Sequence, residues 1–418
     1  MKVIPAPVTS SILMLTYISP LQKWGSAKRS GFIVDALKRH GNVEVLVLSF
    51  VDAPGAGAAM TVTDWQGTKV MDLQIVQRGL RDRPRFDLTS AHVTREVARH
   101  LDLSRYDLLV SRYVKPALKL DLPPGVPLLV DFDDAVYEPP WQALRSLKNW
   151  VGVGMRLFND RFIVRSRLKL GAMRDAHYLF CRDAERNEFG WLAGSVLPNL
   201  PPAVDREGPP DFTPPAEPVL MFVGLLDYMP NHDAVDWFIG AIWPRVLHEV
   251  PQARFLIVGS GTDERLAHWR TAPRVETLGF VDSLADAYAQ ATACVVPMRS
   301  GAGTNIKALE PYLYGRMVIA TPLVVDGHHP LFTAGHDVLV APDAEGLARH
   351  CIDMLREPQR ASEIARRGHR RITGSLTEER FRAVVDAAVD SVLRAGPSAL
   401  PEQAAHASPA CSLPSGRQ

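Results

Sequence analysis

Cysteine is scarce in this chain. Among its 418 residues there are four, Cys181, Cys294, Cys351 and Cys411. They lie far apart and form no C-x-x-C pair, which excludes a disulfide framework and a zinc-ribbon pattern and fits a reducing cytosol. Cys294 falls inside an apolar run and reads as a small core residue. Long hydrophobic runs are also lacking. No stretch approaches the ~20 apolar residues that cross a bilayer. The apolar run in MKVIPAPVTSSILMLTYISP is short, is interrupted by Ser, Thr and Pro, and has no cleavage-site pattern. Charge of one sign is missing as well. Lys and Arg number 47 and Asp and Glu 46, a net charge of +1, so no chain-wide basic surface for nucleic acid is expected. The expected location is the cytosol, with any membrane contact peripheral, at the inner face.

What is present is an ordinary globular composition, 46% hydrophobic and 22% charged, with ample material for a core. At roughly 150 residues per domain the length allows two or three domains. Short apolar runs alternate with longer amphipathic segments, the pattern of βα units on parallel sheets. In the first half the strand-like runs are 11–17, 43–50, 73–79, 106–113, 126–134 and 177–183, with a last short one at Val196–Leu197. A helix is expected over Ala27–His40. Basic residues cluster in Arg156–Arg174 with periodic apolar residues. That amphipathic pattern suits a solvated helix face or a helix lying on an anionic membrane surface.

The segment Pro201–Pro218, PPAVDREGPPDFTPPAEP, holds seven prolines. Proline has no N–H and resists both helix and central strand, so a linker or extended crossover is expected here. The alternation then restarts, with strands at 219–224, 254–261, 275–281, 293–298, 317–322 and 337–342. Helices fit Asn231–Glu249, Leu284–Gln290, Asn305–Tyr314, Ala344–Leu355 and Glu378–Leu393. The strand runs are apolar throughout, as in buried parallel sheets. The expected organisation is an N-terminal domain over 1–204, a linker over 205–218 and a C-terminal domain over 219–375. A helix over 376–395, packing back toward the N-terminal domain, and a disordered tail over 396–418 complete it. Two such domains predict a cleft between the carboxyl ends of two sheets, where open α/β sheets bind ligands.

The stretch Ser300–Gly315, SGAGTNIKALEPYLYG, follows a strand and opens a helix. Gly301 and Gly303 permit close backbone approach, and Thr304 or Asn305 suits an N-cap. The free amides of a first helical turn suit an anion. Lys307 adds a charge for phosphate, and Glu310, three residues on, offers acceptors for paired ribose hydroxyls. The plain alternative is a turn with a surface Lys–Glu pair. Three more loops follow strands. One runs from Gly224 through Pro230-Asn231, one is Gly259-Ser260-Gly261, and one is Gly279-Phe280-Val281-Asp282. Together they outline a nucleotide pocket.

The strings VGLLDYMPNHDAVDWF, FLIVGSG, LGFVDSLADAY and PMRSGAGTNIKALEPYLYGRMVIATP resemble the retaining glycosyltransferases of family 4. The likeness is nearest to their bacterial exopolysaccharide branch, and it covers most of Val219–Asp343. It is looser in the first half, through GSAKRSGFIVDALKRHG and VDFDDAVYE. The resemblance implies the GT-B fold, two Rossmann-like α/β domains facing a cleft. It implies sugar transfer from a nucleoside-diphosphate sugar to a carbohydrate or lipid-linked hydroxyl, with retained configuration and no required cofactor or metal. Glu310 matches the second Glu of the family's E-x7-E motif, which should hold the ribose. Ala302 stands where the first Glu belongs. The Arg and Lys that often follow the first strand of this domain are also missing from Leu225–Met229. Arg299 and Lys307 are their substitutes against the diphosphate.

In the N-terminal half, Gly25 and Ser26 should face the diphosphate across the cleft and Arg29 should neutralise it. The alternative is a capped helix with an exposed Arg. Asp131, Asp133 and Asp134 end the strongest strand and suit acceptor binding or proton removal, with a divalent ion as the alternative. Asp133 and Asp134 join Lys307 and Glu310 as catalytic candidates. Arg112 also ends a strand. Asn199 sits just before the linker, where the resemblance implies a cleft-lining Pro-Asn pair and the alternative is hinge structure. His177 reads as structural, and His328-His329 lies in a loop near the cleft. Trp24 and Trp141 suit stacking on a sugar or lipid, or simple packing. The alternatives to a transferase are a sugar-nucleotide epimerase of the same architecture and a non-catalytic nucleotide-sugar-binding protein.

Overall fold

The computed structural model describes residues 10–22, 25–52, 58–79, 81–83, 89–133, 173, 175–202, 208–300 and 304–395. Asp134, Gly301, Ala302, Gly303, Trp24, Trp141, the basic stretch 156–174 (apart from Met173) and the tail 396–418 lie outside the described residues, as do the side chains of Gly25 and Ser26.

The first sheet contains β1 (Ser10–Thr16), β2 (Gly41–Val51), β3 (Ala59–Trp65), β4 (Thr68–Val76), β5 (Leu108–Arg112), β6 (Leu128–Phe132), β7 (His177–Phe180) and β8 (Gly194–Val196). Their order is β3-β4-β2-β1-β5-β6-β7-β8. All neighbours run parallel except β3, which pairs antiparallel with β4. That edge hairpin escapes the sequence reading because its burial pattern is almost wholly exposed. Its signal is Gln66-Gly67, both at positive φ (51° and 75°), the two-residue turn that matches strand twist.

The second sheet contains β9 (Val219–Val223), β10 (Arg254–Val258), β11 (Val275–Gly279), β12 (Ala293–Val296), β13 (Met317–Ala320) and β14 (Leu339–Val340). It is parallel throughout, in the order β11-β10-β9-β12-β13-β14. This is the doubly wound 3-2-1-4-5-6 arrangement, whose order reverses between β9 and β12 and opens a crevice at their carboxyl ends. The strands are apolar because both faces are covered. Every residue of β12 and β13 is buried.

Two expected helices are broken, each at a proline. The segment expected as one helix over Asn231–Glu249 runs as Met229–Trp237, a π turn Phe238–Ile242 and Trp243–Glu249. Pro244 cannot donate to the Gly240 carbonyl, and the turn before it widens. The segment expected over Asn305–Tyr314 is a 3-10 turn, Ile306–Ala308, followed by the short helix Glu310–Leu313. Pro311 removes the amide that would bond to Lys307. The sequence reading also omits the 18-residue helix Pro358–Ser375, which buries Ile364, Ala365, Gly368 and Ile372. The final helix, Glu378–Ala395, lies on the N-terminal domain. There Phe381 meets Phe32 at 6.0 Å between ring centres, and Asp386 binds His40 at 2.8 Å and Arg39 at 2.9 Å.

The proline-rich segment is pinned to the second domain. Arg316 donates to Asp211 O at 3.0 Å, and the Phe212 ring packs against His369 and Arg366.

Backbone contact at Gly259 sets the site end of the second sheet. Gly259 has φ +136°, and a Cβ there would sit 1.8 Å from Gly224 O. Gly259→Ala is expected to lower stability by about 2–4 kcal/mol, read as a fall in thermal midpoint. An unchanged midpoint would remove the close approach from the account.

Candidate functional site

Three loops at the carboxyl ends of β9, β10 and β11 are stitched together through backbone. Gly224 N donates to Val258 O (3.0 Å), Leu226 N to Ser260 O (2.7 Å) and Gly259 N to Gly279 O (2.8 Å). This rigid rim carries Asn231 at the start of the next helix. Asn231 directly follows the proline in the first turn of that helix and is buried. Its Nδ2 donates to Leu225 O at 2.8 Å. Its Oδ1 accepts from Lys307 Nζ at 2.6 Å. The ammonium also lies 5.9 Å from the centre of the Phe222 ring. Lys307 is therefore held by one amide oxygen and an aromatic face, with no carboxylate ion-paired to it among the described residues. Burial pushes its pKa down to about 8.

Glu310 is 8% exposed and accepts from the Tyr288 hydroxyl at 3.2 Å. Tyr288 stacks on Tyr314 with ring centres 4.6 Å apart. Burial pushes the Glu310 carboxyl up, while the Tyr288 bond and the positive charge of Lys28 pull it back. Lys28 comes from the N-terminal domain's helix Gly25–Leu37 and is exposed. Sequence reasoning passed over it in favour of its neighbour Arg29. One residue along a helix turns a side chain by about 100°, so of this pair one is buried and one open.

Arg29 does not serve the role expected of it. It is 2% exposed and spends its guanidinium inside the N-terminal domain. It donates to Asp131 at 2.6 and 3.0 Å, to Leu197 O at 3.1 Å, to Pro198 O at 3.3 Å and to Asn199 Oδ1 at 2.9 Å. With its donors committed, it is not available to a diphosphate. Arg112 is fully buried and bridges Asp131 at 2.8 Å and Asp133 at 2.7 Å.

Asp133 is likewise absorbed. One oxygen takes Arg112, and the other accepts from Cys181 Sγ at 2.9 Å and Asn199 Nδ2 at 3.3 Å. Burial pushes this carboxyl up, but Arg112 and Arg29 outweigh it and hold it below the carboxylate range. A carboxylate so stabilised in its charged form is a poor proton acceptor. This replaces the acceptor-or-base reading of Asp133 with a structural one.

The network reaches the other domain through Asn199, whose Nδ2 donates to Thr304 Oγ1 at 2.5 Å. Thr304 and Asn305 lead into the 3-10 turn, and Asn305 caps it without a side-chain bond. A three-residue turn has little macrodipole, so Lys307 is the main positive charge contributed by this stretch. Arg299 is 47% exposed, binds Asp233 at 2.5 and 3.1 Å and lies over the Trp237 ring, so its charge is shared. Gly224 and Gly259 sit at the rim, and the backbone of Gly25 and Ser26 opens the helix after β1. Among the described residues no group of three or more His, Cys, Asp or Glu is placed to hold a metal ion.

Two α/β domains in tandem, each built on a mostly parallel sheet, are the architecture of the GT-B class of fold. Residues 217–357 match the family model described as glycosyl transferases group 1, which places such a domain in the C-terminal half. Over 155 residues the chain is 26% identical to an uncharacterized 44.6 kDa protein in the cps region of Klebsiella pneumoniae, a match spanning 35% of this chain and 39% of that protein. Among solved structures it is similar to a sucrose-phosphate synthase from Thermosynechococcus elongatus. The TM-score there is 0.66 at 16% identity, covering 93% of this chain and all (100%) of the other. It is also similar to an α,α-trehalose 6-phosphate synthase from Burkholderia multivorans, with TM-score 0.60, 12% identity and coverage of 93% and 100%. A third likeness is to Anabaena HepE in complex with UDP and glucose, with TM-score 0.56, 14% identity and coverage of 91% and 100%. At such identities these likenesses speak for the fold, and the fold is GT-B.

Asp131 sits between two buried guanidinium groups. Asp131→Asn is expected to cost about 3–5 kcal/mol, the penalty for stranding buried charge, measured by urea denaturation. A loss below about 1 kcal/mol would show that the two arginines do not depend on it.

Proposed function

We propose that this protein transfers a sugar from a nucleoside-diphosphate sugar to a hydroxyl acceptor, with retained configuration, in the assembly of a bacterial surface polysaccharide or glycolipid. The observation that carries the reading is the pairing of Lys307 and Glu310 beside the β9/β12 crevice. One is a cation with no carboxylate partner among the described residues, suited to a diphosphate. The other is a buried carboxylate whose one bond among the described residues comes from Tyr288, suited to ribose hydroxyls. The group 1 match over residues 217–357 and the cps-region relative support it. The nucleotide sugar is substrate, and the reading requires no cofactor. The acceptor is a carbohydrate or lipid-linked hydroxyl.

The leaving-group chemistry follows from charge. Cleaving the sugar–phosphate bond leaves negative charge on the diphosphate. A preoriented ammonium in a part-buried site stabilises that charge more than water does. Asn231 is the positioning residue, since it fixes Lys307 through one short bond.

Calorimetry with UDP-, GDP- and dTDP-sugars tests the reading. Glu310→Ala is expected to weaken binding of the preferred nucleotide sugar roughly tenfold, about 1.4 kcal/mol, with the thermal midpoint retained. Unchanged affinity would sink the ribose assignment. Binding without transfer to any acceptor would favour a non-catalytic binding protein, and release of an epimerised sugar without acceptor would favour an epimerase.

Lys307 adds a pH dependence. Below about 8 the ammonium is charged, and above it the unliganded protein loses that charge. Affinity for the nucleotide is therefore expected to be level below that value and to fall as pH rises through it. Because bound diphosphate favours the charged form, binding above it should take up a proton. Calorimetry in buffers of different ionisation enthalpy measures this uptake. Lys307→Met should bind more weakly and show no such slope.

A further inference from the structure

We propose that His328 is a sugar-binding residue, whose ring Nδ1 accepts a hydrogen bond from a hydroxyl of the hexose carried by the nucleotide. The proposal rests on the donor reading above and goes further by assigning the group that senses the sugar itself.

His328 follows β13 and the short helix Pro322–Asp326, and is 8% exposed. Its backbone is fixed on both sides. His328 N donates to Val325 O at 2.9 Å, and Leu331 N donates to His328 O at 2.7 Å. Its ring meets Phe332 edge-on, with centres 6.1 Å apart. Ring Nε2 lies 3.0 Å from Asn305 O. A carbonyl oxygen only accepts, so Nε2 carries the hydrogen. In a neutral imidazole Nδ1 is then a bare acceptor. Burial pushes the ring's pKa down to about 4. The Asn305 bond opposes that shift, and the charge of Arg182 from the N-terminal domain adds to it. The tautomer and the charge state are both set. Nδ1 has no bond to any described residue.

An acceptor on a side chain 8% exposed, with no partner among the described residues, suits a donor from a ligand. A phosphate oxygen without a proton also only accepts, so its lone pairs oppose those of Nδ1. The atom that suits this position is a hydroxyl. Nucleotide sugars offer hydroxyls on the ribose and on the hexose. The ribose falls to Glu310, which Tyr288 holds at the start of the short helix after the 3-10 turn. His328 is tied instead to Asn305, next to Thr304, the residue that bonds Asn199 of the facing domain. Arg182 of that domain acts on the His328 ring. His328 thus lies at the seam between the domains, where the transferred group must sit if it is to meet an acceptor from the other side.

Two variants of the full chain separate this role from a structural one. His328→Gln keeps a side-chain N–H for Asn305 O and removes the acceptor at Nδ1. His328→Asn offers an oxygen near the Nδ1 position and gives up the Asn305 bond. Calorimetry is run with UDP, GDP and dTDP, each beside UDP-glucose, GDP-mannose and dTDP-glucose. The expected result is that His328→Gln binds the preferred free nucleotide as wild type does but binds its sugar form about 5–20-fold more weakly. His328→Asn should recover part of that loss. Equal weakening of nucleotide and nucleotide sugar, or no weakening of either, overturns the proposal and leaves the donor reading standing. Binding of none of the six compounds by the wild type overturns both.

Discussion

Four buried charges in the N-terminal domain, Arg29, Arg112, Asp131 and Asp133, hold the site's floor. They alternate in sign and sum to zero, so the domain can keep them out of water. Each carboxylate is shared. Asp131 lies between both guanidinium groups, and Asp133 takes Arg112, Cys181 and Asn199. This set ties β5, β6, the first helix and the segment after β8 into one unit. No member is dispensable, because removal of one leaves a full charge without its counterion in a low-dielectric interior. The network ends at Asn199, whose amide touches Thr304 of the other domain, so its geometry is passed directly to the loop that precedes Lys307.

The C-terminal domain solves a different problem. It holds a lysine and a glutamate three residues apart without letting them pair. Proline does part of this. Pro311 ends the 3-10 turn that carries Lys307 and begins the short helix that carries Glu310, so the two side chains do not share a helix face. Lys307 turns to Asn231 and Phe222, and Glu310 turns to Tyr288. The simple i,i+3 ion pair is avoided.

Much of this architecture was legible in the sequence. The apolar runs that became β9, β10, β12 and β13 announce themselves because strands covered on both faces have no polar alternation to confuse them. The hairpin strand β3 was missed for the opposite reason, since its exposed residues give no burial pattern. At the site, Lys307 and Glu310 stood out by chemical type and position. Arg29 and Asp133 stood out for the same reasons, yet they face inward. Sequence can show that a charged residue follows a strand but not whether a partner from a distant strand waits for it. Arg29 finds Asp131 across 102 positions, and Asn199 across 170. Asn231 and Lys28 were underrated because an amide in a turn and a lysine on a helix are common in every fold.

The last helix has a mechanical meaning. The chain passes from the first domain to the second through the proline-rich segment and returns between Ser375 and Glu378. Bodies joined by a single tether can tumble about it in any direction. Joined at two separated points, they keep free rotation only about the line between those points. The anchoring of Phe381 on Phe32 and of Asp386 on Arg39 and His40 makes the return crossing a second point of attachment between the domains. The contact between Asn199 and Thr304 is thus flanked by two chain crossings between the domains rather than one.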